Sequence, residues 1–123
     1  MKPRAWLLAT LAAVALPAAA HHSFSIYDMD QSISFDGVVD TVKLRNPHMA
    51  LTLKVTKADG TTGIVNFVEG APINMIVRLG LDPADIAVGK RIKAIGAPRR
   101  DDPHAYCLKS IILPDGRRFT VIS

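Results

Sequence analysis

Four histidines, His21, His22, His48 and His104, are the residues of this sequence whose type best suits chemistry. Imidazole is the commonest metal ligand among side chains and the usual acid–base group near neutral pH. His21 has a further property if a protease exposes it as the first residue of the working chain. Its α-amine and its own imidazole then chelate one ion, and a second histidine completes a T-shaped all-nitrogen set. Tetragonal nitrogen sites suit Cu(II), which also heads the affinity order of the first-row divalent ions. Glu69 is the acidic side chain best placed to join such a site, and Arg45, Asn46 and Arg99 are polar neighbours that would rim it.

The bland reading of each residue stands beside the chemical one. His21 and His22 are tolerated in a chain leader, His48 caps a turn after Pro47, and His104 is an exposed loop residue. Glu69 before Gly70 caps the following helix, and the arginines are solvated charges. The nitrogen set resembles the histidine brace of exported copper-binding proteins, and that resemblance rests on His21 becoming the first residue.

The first twenty residues are ordered so as to expose it. Lys2 and Arg4 form a basic start, Trp6 to Leu16 an almost purely apolar run, and Ala18, Ala19 and Ala20 the small residues before a cut. The apolar run is about half the roughly 20 residues that span a bilayer. Residues 1–20 therefore read as a signal peptide, 21–32 as an amino-terminal arm and 33–123 as one β-rich domain exported to the periplasm as a soluble protein, with no membrane span once the signal is cut. Fully extended, the arm reaches about 40 Å at roughly 3.3 Å per residue, far enough to meet His48 or His104. Removing Lys2 and Arg4 takes the formal charge of the 123-residue chain from +4 to +2. So mild a positive balance argues against a nucleic-acid partner, which calls for a dense basic face. The lone Cys107 reads as a small packed side chain.

Alternation supplies the elements that must position these groups. Ile33 and Phe35 alternate, Gly37 interrupts, and Val38, Val42 and Leu44 resume out of phase, which predicts a first strand bulged at the glycine. Met49, Leu51, Leu53 and Val55 face one way in the second strand, and Asp59-Gly60 turns the chain into a third, Thr62 to Glu69, apolar on both faces and so predicted to be buried. A short helix fits Pro72 to Leu79 with Ile73, Ile76 and Val77 on one face. Strands follow over Lys90 to Ala97, Tyr106 to Leu113 and, after the Asp115-Gly116 turn, Arg117 to Ile122. Three strands, a helix and two or three more strands is the element order of a mainly β, five-to-six-stranded barrel of the oligonucleotide/oligosaccharide-binding (OB) type, with the short helix between strands three and four. Simple up-and-down alternation would bring His48, Glu69 and His104 to one end of it.

His21-His22-Ser23-Phe24, Asn46-Pro47-His48, the Asn66 to Gly70 segment Asn-Phe-Val-Glu-Gly and the Leu113 to Arg117 segment Leu-Pro-Asp-Gly-Arg together resemble a family of small exported bacterial proteins catalogued as a domain of unknown function, DUF6152. The resemblance spans the mature chain, departs at Phe67 where the family often has Trp, implies export and a β-rich fold, and brings no activity. No nucleophile elbow, zinc-protease motif or phosphate loop is present, so the sequence gives no reason to expect an enzyme. It points to a small periplasmic binding protein with copper as leading ligand. The competing reading is a metal-free envelope module in which the barrel end or an exposed strand edge binds a small ligand, a glycan or another envelope protein.

Overall fold

The structure, a computed structural model, describes residues 24–122. The signal segment, His21 and His22 lie outside the described residues. Six strands form one sheet: β1 (Ile33–Lys43), β2 (Ala50–Thr56), β3 (Thr62–Glu69), β4 (Arg91–Pro98), β5 (Ala105–Ile112) and β6 (Arg118–Thr120). Their spatial order is β3-β2-β1-β4-β5-β6, and a further pairing of β3 with β5 closes the first five into a barrel. That closing pair is parallel, with Asn66 opposite Ala105 and Phe67 opposite Tyr106, whereas the other ladders are antiparallel. This is the expected OB-type barrel with one added strand, and the helix α1 (Ile73–Arg78) lies between β3 and β4.

The period-2 pattern of β2 does what it predicts: Met49, Leu51 and Leu53 are fully buried and meet Phe67, Val39, Ile92, Ala94, Leu108 and Ile111 in the barrel core. The rings of Phe35 and Tyr106 lie within about 6 Å of Phe67 (centroids 6.1 and 5.9 Å). Ile76 of α1, with Leu81 and Ile86 behind it, belongs to the same core. Among the described residues no helix is long and apolar enough to cross a membrane.

Three local expectations are corrected. The bulge of β1 falls between Val39 and Thr41, not at Gly37. Gly37 pairs regularly with Ile92, and a Cβ there would lie 2.6 Å from the Lys54 carbonyl oxygen. The glycine therefore permits the close approach at which β1 leaves β4 for β2, Val38 being paired to both Arg91 and Lys54. In consequence Val39 rather than Val38 enters the core, and Leu44 is 39% exposed. Second, β3 is not buried on both faces: on the outer face Ile64 is 55% exposed, and only Val68, toward the strand's end, is covered there, by a small second cluster that includes Phe24, Tyr27 and Met29. Third, Ile73 and Ile76 pack inward while Val77 is 48% exposed.

Candidate functional site

The segment before β1 is held to the barrel rather than trailing from it. Tyr27 forms an isolated bridge with Arg99, Asp28 N–H donates to the Pro98 carbonyl (2.8 Å), and Arg100 N–H donates to that of Ile26 (2.8 Å). A slip of register between Ile95 and Gly96 on β4 leaves Lys109 of β5 unpaired in the ladder. Its ammonium donates to the Met29 carbonyl at 2.8 Å and the Ser32 hydroxyl at 3.0 Å. Tyr27 is only 2% exposed, and its hydroxyl donates to Glu69 Oε2 at 3.0 Å.

Glu69 is aimed by its strand. Between Phe67 and Glu69 the β3–β5 register slips by one residue, so Glu69 lies level with Cys107; bulges commonly re-aim a side chain in this way next to functional sites. On the other side stands His48. Its loop is stitched to the β3–α1 connection by Met49 N–H to the Ala71 carbonyl (3.1 Å) and by Ile73 N–H to the Arg45 carbonyl (3.3 Å). His48 Nδ1 lies 3.0 Å from the Gly70 carbonyl and Nε2 lies 3.4 Å from Glu69 Oε1. The Phe24 ring meets the imidazole edge-on, centroids 6.5 Å apart.

A carbonyl oxygen only accepts, so Nδ1 must carry the hydrogen and donate to Gly70. In the neutral imidazole Nε2 is then a bare lone pair, and it faces Glu69 Oε1, a buried oxygen with no hydrogen-bond partner. Two lone pairs turned toward each other, one on a buried oxygen and one on an imidazole whose side chain is 37% exposed, suit a positive bridge, a proton or a metal ion. A separation of 3.4 Å matches two ligands each about 2.0–2.2 Å from one ion, as for zinc with nitrogen and oxygen donors. The carboxylate also acts on its other neighbours. Burial first, then the hydrogen bond and charge of Glu69, push the Tyr27 phenol above its ordinary value of 10.0. Burial first and Glu69 second push the Cys107 thiol up to about 12, with Lys109 pulling the other way.

Of the residues singled out by the sequence, the structure thus brings together His48 and Glu69. Arg45 sits beside them, its Nε donating to the His48 carbonyl at 3.1 Å, and Asn46 is exposed on the same loop. Arg99 is bound to Asp101 by two hydrogen bonds of 2.8 and 3.1 Å. His104 lies apart, in a cleft with Lys57 and the Gly63–Val65 stretch of β3. The expected convergence of three connections on one end fails because β4 runs antiparallel to β1, so its exit lies toward the opposite end from that of β1. The β3–β5 ladder accordingly sets Ala105 level with Asn66, and His104 lies before it, away from Glu69. Among the described residues no three of His, Cys, Asp and Glu are grouped to hold a metal. Phe24, Tyr27 and the Gly70 carbonyl are not among the candidate site residues that the sequence offers. The usable signal was two aromatic side chains, Phe24 and Tyr27, in a stretch otherwise read as a leader, since such rings are seldom left without a surface to cover.

Among curated proteins and among solved structures, nothing matches this chain. A family of unknown function (DUF6152) matches residues 8–108, more than half of the chain and including Tyr27, His48 and Glu69. The chain therefore belongs to the family of unknown function DUF6152.

Proposed function

We propose that the mature chain is a small periplasmic binding protein whose leading ligand is Cu(II). The ion is held by the amine and imidazole of His21, with His22 beside them, together with His48 Nε2 and Glu69 Oε1. The carrying observation is the buried Oε1 that has no hydrogen-bond partner and faces an imidazole nitrogen 3.4 Å away. The imidazole is held in place by its other nitrogen on the Gly70 carbonyl, the kind of orientation that metal-binding histidines commonly have. Chain reach supports the amino-terminal contribution. Phe24 touches His48, and the three residues back to His21 span at most about 11 Å. The export part of the reading rests on the basic start, apolar run and Ala18-Ala19-Ala20 of the leader. Copper storage, delivery and redox use all begin from this binding step.

Calorimetry and electron paramagnetic resonance of Cu(II) with protein beginning at His21, beside the same protein with one alanine added in front, test the reading. One-to-one binding with a nitrogen-rich spectrum, weakened at least about tenfold by the added residue and by His48→Ala, is the expected result. Equal, weak binding by all three proteins contradicts it. The metal-free envelope module is favoured in that case. It draws on the apolar side chains left exposed on the barrel, Ile64, Val77 and Val88, and is indifferent to an added residue.

A further inference from the structure

A cleft of about 300 Å³ opens away from the Tyr27–His48–Glu69 cluster, between the hairpin ends of β2 and β3 and the start of β5. Phe35 and Tyr106 supply its aromatic floor, with ring centroids 4.9 Å apart and planes at 68°. Val55, Ile64 and Val65 supply apolar wall, and Ile64 is more than half exposed. Lys57 and His104 stand among the lining residues, which include no carboxylate.

The charge of Lys57 is left available in a specific way. The acid on its own hairpin, Asp59, is turned onto Thr61, accepting from the hydroxyl at 2.6 Å and the N–H at 2.9 Å. Those bonds, the hydroxyl first, hold its carboxyl below the usual range. Among the described residues Lys57 has no ion-pair partner. Gly63 gives its side chain room: a Cβ there would lie 2.9 Å from Lys57 Cε and 3.6 Å from Nζ.

An aromatic floor, aliphatic walls and an unpaired ammonium in a space at the small end of ligand pockets select for a compact flat body with one negative group. We propose that this cleft binds a small aromatic carboxylate, its ring on Phe35, Tyr106 and Ile64 and its carboxylate on Lys57 with His104 beside it. The site is independent of the copper reading, because none of its residues belongs to that cluster.

Titration of ¹⁵N-labelled mature protein with 2-naphthoate, and with the uncharged 2-naphthalenemethanol, tests it by amide chemical shifts. The expected result is saturable one-site binding of naphthoate with shifts concentrated at Lys57, Gly63 to Val65 and His104 to Tyr106. Affinity falls about tenfold or more for the alcohol and for Lys57→Met, and also for Gly63→Val, which displaces the lysine stem. His48→Ala leaves it unchanged. Absence of saturable shifts, shifts scattered over the barrel, or equal affinity for acid and alcohol would overturn the proposal.

Discussion

Tyr27 ties the leading segment to the barrel through one buried hydroxyl. Tyr27→Phe leaves Glu69 Oε2 without its donor while Oε1 is already unpartnered, and the expected cost is about 1–3 kcal/mol in urea unfolding. An unchanged midpoint would show that the bond contributes nothing. The same phenol shapes the alkaline limb of stability. Its folded pKa lies above the ordinary 10.0, so its contribution is fully present below pH 10. It declines as pH rises beyond that value, where the unfolded chain ionises first. Tyr27→Phe removes that part of the decline, which denaturant midpoints measured from about pH 8 to about pH 11 will show. Cys107 gives a second check at this scale. With no exposed surface and a thiol pushed up to about 12, it stays unreactive toward a disulfide reagent at neutral pH until the protein unfolds. Rapid labelling of the native chain would contradict the packing described around Glu69.

At the scale of elements, the sequence was most legible where one face alone is buried. The alternation of Met49, Leu51 and Leu53 placed β2 correctly, and the turn signals Asp59-Gly60 and Asp115-Gly116 sit where Gly60 and Gly116 adopt φ values of +83° and +89°. The bend of β1 was legible as an event but not as a position. Gly37 stands out in the sequence because it interrupts the alternation of Ile33 and Phe35, yet its role is set by the Lys54 carbonyl of a neighbouring strand, which no local pattern reveals. Gly37→Ala drives a Cβ against that backbone oxygen at 2.6 Å, and the expected loss is about 1–3 kcal/mol. Gly63→Ala is the contrasting case. Its new Cβ meets only the flexible stem of Lys57, so the change in stability stays within about 0.5 kcal/mol. Equal losses at both positions would contradict the account of the bend. The exposure of Ile64 was illegible for the same reason as the bulge, because the cover on the outer face of β3 comes from residues 24–29 and reaches only Val68.

At the scale of the whole molecule, the barrel followed from element order, while the site followed only in part. His48 and Glu69 were both candidates, but their meeting depends on the register slip after Phe67 and on the stitching of the β1–β2 loop to Gly70 and Ala71. Separation of His104 from them depends on which strand β4 pairs with. Neither is a property of any single segment, which is why residue types could nominate ligands without grouping them. The closed barrel and the docked leading segment together set a carboxylate oxygen that has no hydrogen-bond partner against a fixed imidazole, and the proposed copper site rests on that pair. Anomalous diffraction at the copper edge, from crystals of Cu(II)-loaded protein beginning at His21, tests it most directly. One strong peak is expected about 2.0–2.2 Å from His48 Nε2, shared with Glu69 Oε1 and the amino-terminal nitrogens. A peak at His104 instead, or none at His48, would contradict it.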